Sequence, residues 1–186
     1  MRFLTPSECE KLATRVGLDH RDLTAGKRIY SLKSAADFFY KSRMKDARPA
    51  AHHLVDYLGD FTWAMLWVYG LPWGDRSREE HVPDDWQRYA RWRQSAGADR
   101  ALDETPGHLF EPNEESKLVE VIEFAILTGW DAFVFARPLR CVIALSHDDV
   151  IKIQSRHNLS ALASTLSQFG LSQKAFHAPK SGGPIH

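Results

Sequence analysis

At 186 residues, with 44% hydrophobic and 26% charged residues, the chain has the size and composition of one globular domain, which excludes wholesale disorder, collagen-like repeats and coiled coils. Its 24 Lys and Arg offset 24 Asp and Glu, so net charge gives no argument for a polyanionic partner, although nine histidines leave room for pH-dependent charge. No segment approaches the ~20 apolar residues that cross a bilayer, and the two lone cysteines, Cys9 and Cys141, lack paired-ligand spacing; a cytoplasmic protein with free thiols and no membrane contact is expected.

Thr5-Pro6-Ser7-Glu8 opens a first helix, with Thr5 as N-cap, Pro6 at the first helical position and Glu8 reaching back as the acid of a capping box. Gly17 closes it. Arg28 to Leu32 reads as a short strand, and Ser34 begins a helix whose Ala35, Phe38, Phe39 and Met44 make an apolar face. Pro49 restarts the chain as a short helix with Leu54, Tyr57 and Leu58 inward and Gly59 as its stop. The aromatic and branched run Phe61 to Tyr69 predicts a strand buried on both faces; periodicity leaves a buried helix open as the alternative. Pro72 to Pro83 is a polar surface loop containing Trp73. Asp84 or Asp85 then caps a helix from Trp86 to Ala96, on which Trp86, Tyr89 and Arg93 share one face.

From Ala98 a loop runs through Thr105-Pro106-Gly107-His108. Asn113-Glu114-Glu115 starts the central helix with acids where the helix dipole favours them, and Leu118, Val121, Ile122, Ala125 and Ile126 form its apolar stripe. After Gly129 comes a three-strand meander: Trp130 to Phe135, a turn at Pro138-Leu139, Arg140 to Leu145, a turn at Ser146-His147-Asp148-Asp149, and Val150 to Gln154. Asn158 caps a last helix that Gly170 stops. The fold class is therefore α+β: a mostly antiparallel sheet of about four to five strands, made of the Trp63 strand and the meander and covered by helices. Residues 1–170 form one domain, mainly helical over 1–58, and 171–186 form a mobile tail rich in Gly, Ser and Pro.

The succession Gly70-Leu71-Pro72-Trp73, Asp85-Trp86 to Arg93, Pro106-Gly107-His108-Leu109-Phe110, Gly129-Trp130-Asp131-Ala132 and Ser146-His147-Asp148-Asp149 resembles a family of small uncharacterised bacterial proteins. The similarity spans Leu66 to Ile153. It implies a bacterial, cytosolic origin and no catalytic role that could be carried over.

Ser146-His147-Asp148-Asp149 combines a hydroxyl, an imidazole and two carboxylates at one corner, which is raw material for acid–base or metal chemistry. Turn chemistry is the preferred reading, because Ser and Asp bond nearby amides in hairpin loops. His108 and Asp131 are the partners that would convert the corner into a transition-metal site. The preferred reading has both residues bonding loop backbone and tethering the loop to the sheet. Adjacent His52 and His53 point apart on a helix and do not share an ion. No catalytic-nucleophile or phosphate-loop motif is present, so no catalytic residue, metal or cofactor is expected.

Two further surfaces are candidates. Trp86, Tyr89 and Trp92 interleave with Arg88, Arg91, Arg93 and Arg100, a pattern that stacks on bases, although acids at Asp84, Asp85 and Asp99 dilute it. Trp73, between Pro72 and Gly74, is either an exposed interface anchor or a plug at the sheet edge. The function expected is a non-enzymatic, bacterial protein-binding module, with an immunity protein that neutralises a toxin as one form of it. Its binding residues are Trp73, Trp86, Arg93, His108, Asp131, His147 and Asp148. A metal-dependent hydrolase built on His108, Asp131, His147 and Asp148 is the alternative, and nucleic-acid binding through Trp86 to Arg100 is weaker.

Overall fold

The computed structural model describes residues 1–29, 31–40, 46–71 and 83–174. In chain order they form β1 (Arg2–Leu4), α1 (Pro6–Arg15), α2 (His20–Thr24), β2 (Ser34–Phe39), α3 (Ala47–Leu58), β3 (Trp63–Gly70), α4 (Asp84–Ser95), β4 (Gly107–Phe110), α5 (Glu115–Thr128), β5 (Asp131–Arg137), β6 (Cys141–Ser146), β7 (Val150–Ser155), α6 (Ser160–Ser167) and β8 (Ser172–Lys174). The strands make one open sheet in the order β1-β4-β3-β5-β6-β7-β2-β8, antiparallel at every pairing. The class is α+β as expected, with eight strands among the described residues in place of four or five.

Local chemistry sets the corners. Thr5 and Glu8 close the capping box of α1: the Thr5 amide donates to Glu8 Oε2 at 2.9 Å, and the Glu8 amide donates to Thr5 Oγ1 at 3.4 Å. Gly129 ends α5 in the left-handed conformation (φ 66°, ψ 49°), which turns the chain directly into β5. The β6–β7 hairpin closes over His147, Asp148 and Asp149, with Asp149 at φ 59°. A three-residue loop ending in the left-handed region is a favoured way to join two antiparallel strands.

Alternation along the strands divides the core in two. One face carries Ala64, Leu66, Val68, Ala132, Val134, Ala136, Ile143 and Ile153, and it packs with α3, α4, α5 and α6. The other carries Met65, Trp67, Phe133, Phe135 and Val142, which meet Cys9, Ala13, Leu18 and Leu23 of the α1–α2 region. Cover on both faces explains why β3, β5 and β6 are apolar at nearly every position. On this second face the segment after α2 lies over the β7–β2 half, where the Gln154 amide accepts from Ile29 N at 2.7 Å and donates to Lys27 O at 3.1 Å.

Several expectations need correction. Ser34–Phe39 is a strand, not the start of a helix: Ala36, Phe38 and Tyr40 point to the helical core while Ala35 and Asp37 do not, a period of two. Met44 lies outside the described residues. Arg28, Ile29, Ser31 and Leu32 belong to no strand. Gly107–Phe110, expected in a loop, is β4, held between β1 and β3. Ser172–Lys174, expected in the tail, pairs with β2 as β8. Neither Asp84 nor Asp85 caps α4 with its side chain; Pro83 is the N-cap and both acids lie in the first turn. The Trp63 segment is a strand, as preferred over a helix. No helix among the described residues is long and apolar enough to cross a membrane.

Candidate functional site

Asp131 begins β5 and His147 begins the β6–β7 loop, so the hairpin brings the two side by side. Asp131 Oδ1 accepts from the His147 backbone amide at 3.0 Å, and the imidazole Nδ1 lies 2.9 Å from Oδ1 and 3.0 Å from Oδ2. The same carboxylate therefore fixes the loop and orients the ring. His147 Nε2 faces outward, 3.4 Å from Asp148 Oδ1. Hydrogen bonding to Asp131 raises the His147 pKa above the ordinary histidine value, with Asp148 adding to the effect. Gly70 is the register partner of Asp131, and a Cβ there would stand 2.9 Å from Asp131 Oδ2. The close fit of this carboxylate depends on glycine opposite it.

His108 is in a different place. On β4 it pairs with Leu66, which pairs with Val134. Two strand spacings and three residues separate it from Asp131, roughly 14 Å between Cα atoms at ~4.8 Å per strand and ~3.3 Å per residue. The ring is wholly buried, and its Nε2 lies 2.8 Å from the Tyr89 hydroxyl and 3.4 Å from Arg93 Nη1. Arg93 is itself buried. Its Nη1 donates to the Tyr89 hydroxyl at 3.0 Å, and its Nη2 donates to the carbonyls of Ala101 at 3.2 Å and Thr105 at 3.1 Å and to the Thr105 hydroxyl. The Phe3 ring closes over the guanidinium at 4.3 Å. Burial first, and the Arg93 charge second, push the His108 pKa down to about 3, so the ring is neutral.

The structure thus brings Asp131, His147 and Asp148 together and leaves His108 elsewhere. Among the described residues, no group of three or more His, Cys, Asp or Glu side chains is arranged to hold a metal ion. Trp86 lies in the helical core, edge-on to Trp130 at 5.6 Å, and Tyr89 meets Trp130 at 4.6 Å. Trp92 donates its indole N–H to Glu120 at 2.7 Å, and Arg88 pairs with Glu123 at 2.9 Å. Trp86, Tyr89 and Arg93 of α4 are therefore buried, and Arg88 and Trp92 are engaged with acids of α5, while Arg91 is exposed. Trp73 lies outside the described residues. His52 is exposed, and His53 stacks on Phe169 at 5.3 Å.

One feature escaped the sequence reading. Tyr69 is 38% exposed, the one large hydrophobic residue exposed among those described, and it stacks at 4.2 Å on Phe133. It stands beside a cleft of ≈ 360 Å³ between β3, the α1–α2 region and the 102–106 segment. Trp67 lines this cleft with His20 stacked on it at 5.0 Å; Glu10 and Asp103 line it too, and among the described residues no Lys or Arg does. Burial, and then Asp131, raise the Tyr69 hydroxyl to about 12. Arg93 shapes this site indirectly, since the carbonyls it holds belong to the segment that carries Leu102, Asp103 and Pro106. The only sequence signal for the cleft was the end of an apolar strand running into Gly70.

Compared with protein-family models, curated proteins and solved structures, the chain has no match.

Proposed function

We propose that this chain is a non-enzymatic protein-binding module whose recognition surface joins the Tyr69 cleft to the Asp131–His147–Asp148 corner. The observation that carries the reading is the exposed Tyr69 ring, braced flat against Phe133 between an acid-lined cleft and an acid-rich loop. A tyrosine fixed by stacking offers contact area at little entropic cost, which suits an interface anchor. Glu10 and Asp103 on one side and Asp131, Asp148 and Asp149 on the other favour a partner that presents a basic segment, and they disfavour nucleic acid. An immunity protein covering the basic surface of a toxin is one such module. Two buried free thiols, Cys9 and Cys141, both raised to about 12, suit a reducing, cytoplasmic setting.

In this reading Trp86, Arg93 and His108 act by holding the cleft wall, and Trp73, two residues beyond Leu71, is a further anchor. The test is quantitative co-purification from the native host with wild type, Tyr69→Ala, Trp73→Ala and Glu10→Gln/Asp103→Asn. A stoichiometric partner retained by wild type and lost roughly tenfold or more with Tyr69→Ala is expected. Equal retention of every partner by all the variants overturns the assignment.

A further inference from the structure

At the opposite side of the sheet, on the face that carries Trp67 and Phe133, β2, β7 and the segment after α2 enclose a second cleft of ≈ 420 Å³. Its floor follows from register. Ala35 pairs with Gln154 and Asp37 with Lys152, and alternation turns all four toward the cleft. Ala35 is small, which leaves the depression. The wall is held by hydrogen bonds from both ends of the Gln154 amide to the backbone at Lys27 and Ile29, and by Arg28 Nη2 donating to Lys33 O at 2.8 Å. The site is therefore shaped before any ligand arrives.

Its charge is the reverse of that in the Tyr69 cleft. Of the described residues, Arg28, Lys33 and Lys152 line it with one carboxylate, Asp37. Among the described residues neither lysine joins an ion pair, although Asp37 lies directly across from Lys152. Three cations, two from the segment between α2 and β2 and one from β7, match a doubly charged group with three acceptor oxygens, and one carboxylate beside them accepts from hydroxyls. The volume lies in the range of small-ligand pockets. We propose that this cleft binds a small phosphate ester of a hydroxylated molecule, with the phosphate on Arg28, Lys33 and Lys152 and the hydroxyls toward Asp37.

The test is an amide NMR titration of the full chain with ribose 5-phosphate, inorganic phosphate, ribose and anionic phospholipid vesicles. Ribose 5-phosphate shifts the amides of Ala35, Asp37 and Lys152 saturably. Inorganic phosphate shifts the same amides with weaker affinity, and ribose alone leaves them unmoved. Lys33→Ala/Lys152→Ala weakens binding of the ester about tenfold or more while keeping the spectrum of a folded chain, because both side chains are exposed. Asp37→Asn erases the preference for the ester over inorganic phosphate. The proposal is overturned if ribose 5-phosphate fails to saturate at millimolar concentration, if the double lysine variant binds it as wild type does, or if only the vesicles bind.

Discussion

His108 and His147 sit on neighbouring parts of one sheet, and their surroundings drive the same imidazole in opposite directions. His108 is sealed among Phe3, Tyr89 and Trp92 beside a guanidinium, so a proton on it would be both desolvated and repelled. His147 is exposed, with one carboxylate on Nδ1 and another near Nε2, so a proton on it is welcomed from both sides. The difference teaches that two histidines and two acids in a sequence do not define a site; strand order and strand face decide which of them meet. It also assigns separate tasks. The buried cage sets stability and holds the cleft wall, and the exposed corner responds to pH.

The cage offers the sharpest way to break this contrast. Arg93→Ala removes a buried donor that serves Tyr89, Ala101 and Thr105 and leaves a void under the Phe3 ring, so the unfolding free energy falls by about 3–5 kcal/mol in urea titrations. Acid gives the next effect. The unfolded chain takes up a proton on His108 near 6.5, whereas the folded chain does so only near 3, so within that window the unfolded state binds more protons. Stability contributed by neutral His108 is complete above 6.5 and is lost as pH falls, at up to about 1.4 kcal/mol per pH unit. His108→Gln flattens that slope in urea midpoints measured against pH.

The corner responds more gently and with the opposite sign. Because the folded His147 pKa is raised, its contact with Asp131 contributes in full below the ordinary histidine value and fades as pH rises through the folded value. In an NMR titration Asp131→Asn returns His147 most of the way to the ordinary value, Gly70→Ala does so in part by displacing the carboxylate, and Asp148→Asn moves it least. A His147 titration unaltered by Asp131→Asn would remove the carboxylate as the cause.

Much of this was legible in the chain. The meander from β5 to β7 was readable because its strands are apolar runs divided by Pro138 and by Ser146-His147-Asp148-Asp149, and turn chemistry is local. The extra strands were not. Ser34–Phe39 contains no β-branched residue, and its two alanines suit a helix equally well; only pairing with β7 decides it. Gly107–Phe110 is four residues long and takes its strand character from β1 and β3, which are remote in sequence. At the site, the contact between Asp131 and the His147 loop depends on strand pairing, while helical spacing alone gives the shared face of Trp86, Tyr89 and Arg93. That this face buries a guanidinium against His108 needed the third dimension. Glu123 was a missed signal: an acid within the buried stretch of α5 implies cations nearby, and Arg48 at 3.1 Å and Arg88 at 2.9 Å supply them.

The two clefts have a physical consequence beyond the ligands proposed for them. A chain with no net charge exerts little long-range pull, yet an acid-lined cleft beside Tyr69 and a cation-lined cleft over β2 and β7 give each place a local field of its own sign. A charged molecule drifting within a Debye length, about 8 Å at physiological salt, therefore responds to the nearer cleft and not to the chain as a whole. Added salt would then slow productive encounters by randomising approach angles, while leaving the grip of the finished complex far less altered.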